Sequence, residues 1–411
     1  MLVNIGGWAR SKEVLQIAAT NGVYPNNTLT HVAGKTYAQC RFPCQLGGDF
    51  SKLVLSFDNA YINTFGVQAD GGQALTIREL ALELDDPATA VEVTFNGSTS
   101  KTLSVGDINV QTDDILPADF GLSYFPKNRK FWVRVKVSLP SDGFYLQGVL
   151  CNSVTGAKFV TYPPADDGSA SATVGTGALG NPNNATSDPY GYGPSYILGE
   201  PIGKHLAVAW IGDSLVYSNA DASGWPFTGA GFFSRSAINS SNSNTIAQTK
   251  IARGGSTASN FVTNLKALYG LRYANTVGIS LGTNDLGEAG DGVVATIVDD
   301  LQSLWTVADR SGASTIIGGY LWPRTTSTDT WATAENQTYY TNWGVGEKSQ
   351  QINDEIADAV GTYLTAYFNP QSIRHASAPL KWAAGVTIDE THPNAVGHAA
   401  IAAELRTLLG Q

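Results

Sequence analysis

After residue 200 the apolar segments of this chain come in two alternating kinds, and that alternation restricts the fold more than any other feature. Short runs at Leu206 to Ile211, Thr245 to Ile251, Val277 to Leu281 and Thr315 to Tyr320, with a fifth over Tyr363 to Phe368, have the length of strands. Between and after them lie helical stretches around Asn260 to Tyr269, Gly292 to Ser311 and Glu347 to Val360, and a last one over Ala395 to Leu409. Strands separated by helices rejoin a sheet in the same direction, so the expected fold class is α/β, a parallel sheet with helices on both faces.

Residues before about 160 have another rhythm. Alternating or short apolar runs recur at Leu53 to Phe57, Ala74 to Ile77, Val91 to Phe95, Phe131 to Val137 and Tyr145 to Leu150, with turn signals between them at Asn96-Gly97 and Ser141-Asp-Gly143. Many short strands joined by such turns indicate an antiparallel β-sandwich, jelly-roll-like in kind. From Pro163 to Pro194 the chain is dense in Gly, Ser, Asn and Pro and reads as a connection. The expected organisation is a sandwich over 1–162, a linker over 163–199 and an α/β domain over 200–411. With 411 residues, 43% hydrophobic and 15% charged, the chain can bury a core in each of two domains.

Two stretches of the second half carry chemistry. In Val208-Ala-Trp-Ile-Gly-Asp-Ser-Leu215 a serine follows a strand end, the edge where open α/β sheets place reactive groups. In Asp389-Glu-Thr-His-Pro-Asn394 a carboxylate and an imidazole stand three residues apart, on a loop that Pro393 keeps out of the following helix. A serine hydroxyl is a poor nucleophile at neutral pH and needs a histidine to take its proton and a carboxylate to orient that histidine. Ser214, His392 and Asp389 fill those roles.

With two further stretches, Ile251-Ala-Arg-Gly-Gly-Ser-Thr257 and Gly282-Thr-Asn-Asp285, this half resembles the SGNH, or GDSL, hydrolase superfamily, whose four short blocks occur here in the family's order. The resemblance implies a three-layer α/β/α, flavodoxin-like domain over roughly 200 to 411, and a triad of Ser214, Asp389 and His392. It also implies an oxyanion hole made by the backbone N–H of Ser214, a glycine N–H of the second block and the side-chain amide of Asn284. Gly254 is the glycine indicated, since a Ser or Thr follows two or three places later; Gly255 stays open. Each block alone is an ordinary turn or helix entry. It is the set, in order, that points to a serine esterase.

Other patterns carry less. Gly175-Thr-Gly177-Ala-Leu-Gly180 matches a dinucleotide fingerprint in letters, yet Asn181-Pro182 stands where a helix would begin, so it reads as linker. His398 on the last helix is a second-layer group or, more simply, a helix-face histidine, and His31, His205 and His375 lack motif context. No His-Glu-x-x-His, Cys-x-x-Cys or EF-hand loop occurs, so no metal or other cofactor is implied. The absence of Gly-x-Ser-x-Gly argues against the α/β-hydrolase fold. Cys40 and Cys44 either close a small disulfide or are free buried thiols, with Cys151 left over. Against 35 Asp and Glu stand 25 Lys and Arg, a formal charge of −10 with no basic stripe, so nucleic acid is not an expected partner.

No run of 18 apolar residues exists, so no membrane span is expected. Met1 to Arg10 lacks the pattern of a secretory signal, which leaves an exported or particle-borne protein, extracellular or part of a phage, to be reached by another route. The acyl group is expected to be small, since no long apolar lid is visible. Trp225, Trp322, Trp331 and Trp343 fall in loops and either stack on sugar faces or pack in the core. An acidic esterase rich in Gly, Asn and Thr with a sandwich attached resembles bacterial and phage-borne enzymes that take O-acetyl groups off polysaccharides, so the expected partner is an acetylated glycan or another small ester. Two alternatives remain: a general lipid or aryl esterase, and a glycan-binding or particle-attachment module with a degenerate hydrolase domain. All four blocks follow residue 200, so a chain starting near Gly199 is expected to cleave small esters if it folds, with the sandwich either tethering glycan or stabilising the sheet.

Overall fold

The computed structural model describes residues 15–30, 33–86, 88–139, 143–150, 158–188, 190–221, 227, 229–239, 241 and 243–411. Cys151, His31 and Trp225 lie outside them.

The second half is built on a parallel sheet. Its strands run in the order Gly22–Val23, Ala247–Ala252, Ala207–Gly212, Thr276–Ser280, Thr315–Gly319 and Ala366–Phe368. Without the first, this is the 2-1-3-4-5 order of a flavodoxin-like sheet, whose direction of winding reverses beside strand Ala207–Gly212. That strand is buried throughout, and its alternation divides two cores. Ala207, Ala209 and Ile211 face one layer with Leu301, Leu304 and Trp305 of helix Val294–Arg310, while Val208 and Trp210 face the other with Phe232, Phe233 and Ile401. The expected three-layer α/β/α architecture is present.

The first half is built around two larger antiparallel sheets. One is ordered Lys101–Leu103, Leu75–Asp85, Lys130–Ser138, Tyr37–Gln45, Lys158–Tyr162 and Thr186–Asp188, with Ala88–Glu92 also pairing Leu75–Asp85. The other is ordered Gln16–Ile17, Tyr196–Pro201, Phe50–Phe57 and Val110–Gln111. Cys40, Phe42 and Cys44 of the first and Leu53, Leu55, Phe57 and Ile197 of the second meet in one core, which makes the pair a sandwich.

Three expectations change. Residues 163–199 are not a linker: Thr186–Asp188 closes one sheet, and Tyr196–Pro201 lies in the middle of the other, pairing with both Gln16–Ile17 and Phe50–Phe57. The loops between are also structural, since the N–H of Gly177 donates to Glu83 at 2.7 Å, completing a buried cluster in which Arg41 and Arg134 hold the same carboxylate. The dinucleotide-like letters around Gly177 thus serve an ion cluster inside the sandwich. A Cys40–Cys44 bridge is excluded, because the two thiols sit four residues apart on one extended strand, about 13 Å at 3.3 Å per residue, where a disulfide spans about 4.4–6.8 Å between Cα atoms.

The two halves also interlock. Val54 and Leu198 point away from the sandwich core and join Ile17, Tyr24, Ile62 and Tyr196 in the same cluster as Ala207, Ile211, Leu268, Leu271 and Tyr273. The smaller sandwich sheet is therefore buried on both faces, which explains the unbroken apolar run of Leu53 to Leu55. Strand Gly22–Val23 crosses over to pair with Ala247–Ala252 at the edge of the α/β sheet.

Candidate active site

Ser214, Gly254 and Asn284 each follow the C-terminal end of a neighbouring strand, so the sheet gathers them at one edge. Ser214 opens the short helix Ser214–Tyr217, capped by Asp213, whose Oδ1 accepts the N–H of Leu215 at 2.9 Å. Asn284 follows Gly282, whose φ of 112° is open to glycine and strained for other residues. The loop carrying Asp389 and His392 is held from both ends. Thr387 Oγ1 lies 2.6 Å from the carbonyl oxygens of Asp389 and of His392, and Asn394 accepts the N–H groups of Val396 and Gly397 to start helix Ala395–Leu408.

These constraints bring three side chains from two distant stretches into one line. His392 Nε2 stands 2.9 Å from Ser214 Oγ, and His392 Nδ1 stands 2.9 Å from Asp389 Oδ2. The other oxygen of Asp389 accepts the N–H of Thr391 at 2.8 Å and that of His392. Burial pushes the Asp389 carboxyl up, but the hydrogen bonds from the His392 ring and from these backbone groups outweigh it and bring the group down to about 2. An ionised Asp389 only accepts, so Nδ1 keeps its proton and Nε2 presents a lone pair to the serine hydroxyl.

Gly254 lies beside the serine, since a Cβ on it would stand 3.7 Å from Ser214 Cβ, whereas one on Gly255 would meet the carbonyl of Thr64 at 3.8 Å. Of the two glycines it is Gly254 that adjoins Ser214. Asn284 Nδ2 donates to the carbonyl of Ser256 at 2.9 Å and reaches Asp213 Oδ2 at 3.4 Å. The second contact is long for a hydrogen bond, so that N–H is the one a substrate oxygen can compete for.

Two carboxylates with no role assigned from the sequence support this edge. Asp213 caps the serine helix and faces Asn284; burial pushes its carboxyl up to about 7, against the hydrogen bond from Leu215 and the charge of His392. Asp285 accepts the N–H groups of Ala258 and Ser259, tying the asparagine turn to the loop that carries Gly254. Their signal in the sequence was adjacency, each being the immediate neighbour of a site residue.

His398 is not a helix-face histidine. It is buried, its Nδ1 accepts the N–H of Phe232 at 3.1 Å and its Nε2 lies 3.0 Å from the carbonyl of Asn219, so it locks the segment after the serine helix against helix Gly231–Ser236. Burial lowers its pKa to about 4 from an ordinary 6.5. Between those values the unfolded chain binds the proton that the folded chain refuses, so stability is lost as pH falls from about 6.5 to 4, by at most about 3 kcal/mol. In thermal melts over that range, His398→Gln is expected to flatten the decline in Tm; an unchanged slope would assign the decline elsewhere.

The three loop tryptophans among the described residues are held by packing or by hydrogen bonds. Trp322 and Trp343 are buried, the latter donating to the carbonyl of Gly287 at 3.0 Å, and half-buried Trp331 donates to the carbonyl of Thr325 at 3.1 Å. His205 bonds the carbonyl of Ile17 beneath the ring of Phe50, and His375 bonds Ser377. Among the described residues no group of three or more His, Cys, Asp or Glu side chains is arranged to hold a metal, and no helix is long and apolar enough to cross a membrane.

No protein-family model and no curated protein sequence matches the chain. Solved structures similar to it include Axe2, an acetylxylan esterase from Geobacillus stearothermophilus, at 14% identity and a TM-score of 0.36, covering 50% of this chain and 94% of that one. A GDSL-like lipase from Bacteroides thetaiotaomicron is 15% identical, with a TM-score of 0.33, over 49% of this chain and 87% of that one. A Bacillus subtilis protein at 12% identity and a TM-score of 0.35 covers 90% of this chain and 79% of its own. At these identities the chemistry of the site is decided by its own atoms.

Proposed function

We propose that the chain is a serine esterase of the SGNH type that removes acetyl groups from a polysaccharide. The observation that carries this reading is the unbroken line from Ser214 through His392 to Asp389, with contacts of 2.9 Å at both joints. In it, Ser214 Oγ attacks the ester carbonyl as its proton passes to His392 Nε2. The oxyanion is met by the N–H groups of Ser214 and Gly254 and by Asn284 Nδ2. His392 then protonates the leaving alcohol, and a water activated by the same imidazole releases acetate from the acyl-serine.

Prepositioned donors at a developing oxyanion are worth about 2.7–4 kcal/mol each. Asn284→Ala is therefore expected to lower kcat about 10²- to 10³-fold with little change in KM, because the amide's weak contact with Asp213 is exchanged for a strong one only as charge develops. A loss carried wholly by KM would make Asn284 a binding group instead.

The acetylated glycan is supported by the acidic, polar surface and by the sandwich built onto the catalytic edge, since both suit a hydrated, uncharged polymer. A panel of acetylated polysaccharides scored for free acetate tests it. Release from at least one polymer is expected. Cleavage of aryl acetate without release from any polymer would reduce the reading to a general short-chain esterase, and a preference for long acyl chains would make it a lipid esterase.

A further inference from the structure

A hairpin of the first half, Ala60–Ile62 paired with Gln68–Asp70, reaches the catalytic edge. Its turn, Asn63-Thr-Phe-Gly-Val67, is fixed from within and from outside. The side-chain oxygen of Asn63 accepts the N–H of Phe65 at 2.9 Å and of Val67 at 3.2 Å. From the α/β domain, Asn260 Nδ2 donates to the carbonyl of Phe65 at 2.8 Å and Asn264 Nδ2 to that of Gly66 at 2.9 Å. Gly66 has a φ of 73°, and a Cβ there would meet Ser256 Cα at 2.6 Å, so the turn lies directly on the loop that supplies Gly254 and the carbonyl bonded by Asn284.

What this anchored turn presents is a bare aromatic ring. Phe65 is 75% exposed although its backbone is held on both sides. Ser214 adjoins Gly254, Gly255 adjoins the carbonyl of Thr64, and Phe65 is the next residue, which keeps its backbone within roughly 17 Å of the serine at 3.8 Å per Cα step. The triad loop carries a second exposed apolar side chain, Ile388, 63% exposed and next to Asp389. An exposed ring anchored beside the loop of Gly254 suits a sugar whose ester lies on Ser214, because pyranose C–H faces pack on aromatic rings.

We propose that Phe65 is a specificity-determining residue, a platform that stacks on the sugar bearing or neighbouring the scissile acetyl group, so that the sandwich completes the active site. This rests on the esterase reading above. The test compares Phe65→Ala with wild type in the full chain on two acetyl esters: cellobiose octaacetate, whose sugar rings are large enough to extend toward the turn, and vinyl acetate, whose alcohol is too small to do so. The ratio of kcat/KM for the sugar ester to that for vinyl acetate is expected to fall about 3- to 10-fold, carried by KM, and Phe65→Trp is expected to restore it. An unchanged ratio, or a loss carried by kcat on both esters, overturns the platform while leaving the esterase standing. If wild type turns over neither ester, the esterase reading fails and the platform with it.

Discussion

Replacing Ser214 with alanine should reduce hydrolysis of an aryl acetate by about 10⁵- to 10⁶-fold in kcat while the protein stays folded. The size follows from how the triad works: with the nucleophile gone, His392 has no hydroxyl to deprotonate, and what remains is binding plus whatever the oxyanion donors do for attack by water. Stability should hardly move, because among the described residues the Ser214 side chain bonds His392 alone, whereas the bonds that shape the turn come from its backbone carbonyl, which accepts the N–H groups of Ser218 and Asn219. Asp213 likewise caps the helix through Leu215 whatever stands at position 214. Kinetics and a thermal melt on the same sample separate the two effects. More than about 1% of wild-type turnover in a folded variant would remove Ser214 as the nucleophile.

What was legible in the sequence was what is local. A central parallel strand is buried on both faces, so it reads as a continuous apolar run, and four of the five such runs after residue 200 lie within a residue or two of the strands observed. Ser214, Gly254, Asn284, Asp389 and His392 were legible because each sits in a block of three to seven residues whose spacing is set by one turn. Strand Tyr196–Pro201 was missed because its apolar core is only Tyr196 to Leu198, set in a stretch dominated by glycine, serine, asparagine and proline. Strand Gly22–Val23 spans two residues and carries no periodicity at all. Phe65 was invisible for a different reason, since an exposed phenylalanine in a turn has no pattern until the loop on which the turn is anchored is known. For the tryptophans the sequence left stacking and packing open, and Trp322 and Trp343 prove buried.

A chain starting near Gly199 is expected to cleave small esters only if it folds, and the interlock of the two halves means that it should fail to fold. Deleting the first 198 residues removes Ile17, Tyr24, Val54, Ile62, Tyr196 and Leu198 from the cluster they share with Ala207, Ile211, Leu268, Leu271 and Tyr273. Burying a large apolar side chain contributes about 1.5–3 kcal/mol, so the lost contacts amount to roughly 10 kcal/mol, comparable with the entire stability of a typical domain. The backbone loses partners as well. Strand Ala247–Ala252 gives up its pairing with Gly22–Val23, the N–H of Tyr24 no longer meets the carbonyl of Lys250, and Asn26 no longer bonds that of Ala252, just before the loop that carries Gly254. The truncated chain is expected to be insoluble, or soluble without a cooperative melt, and inactive on aryl acetate. A monomeric, cooperatively melting fragment with activity within tenfold of the full chain would show that the interlock is dispensable for folding and for cleavage of small esters.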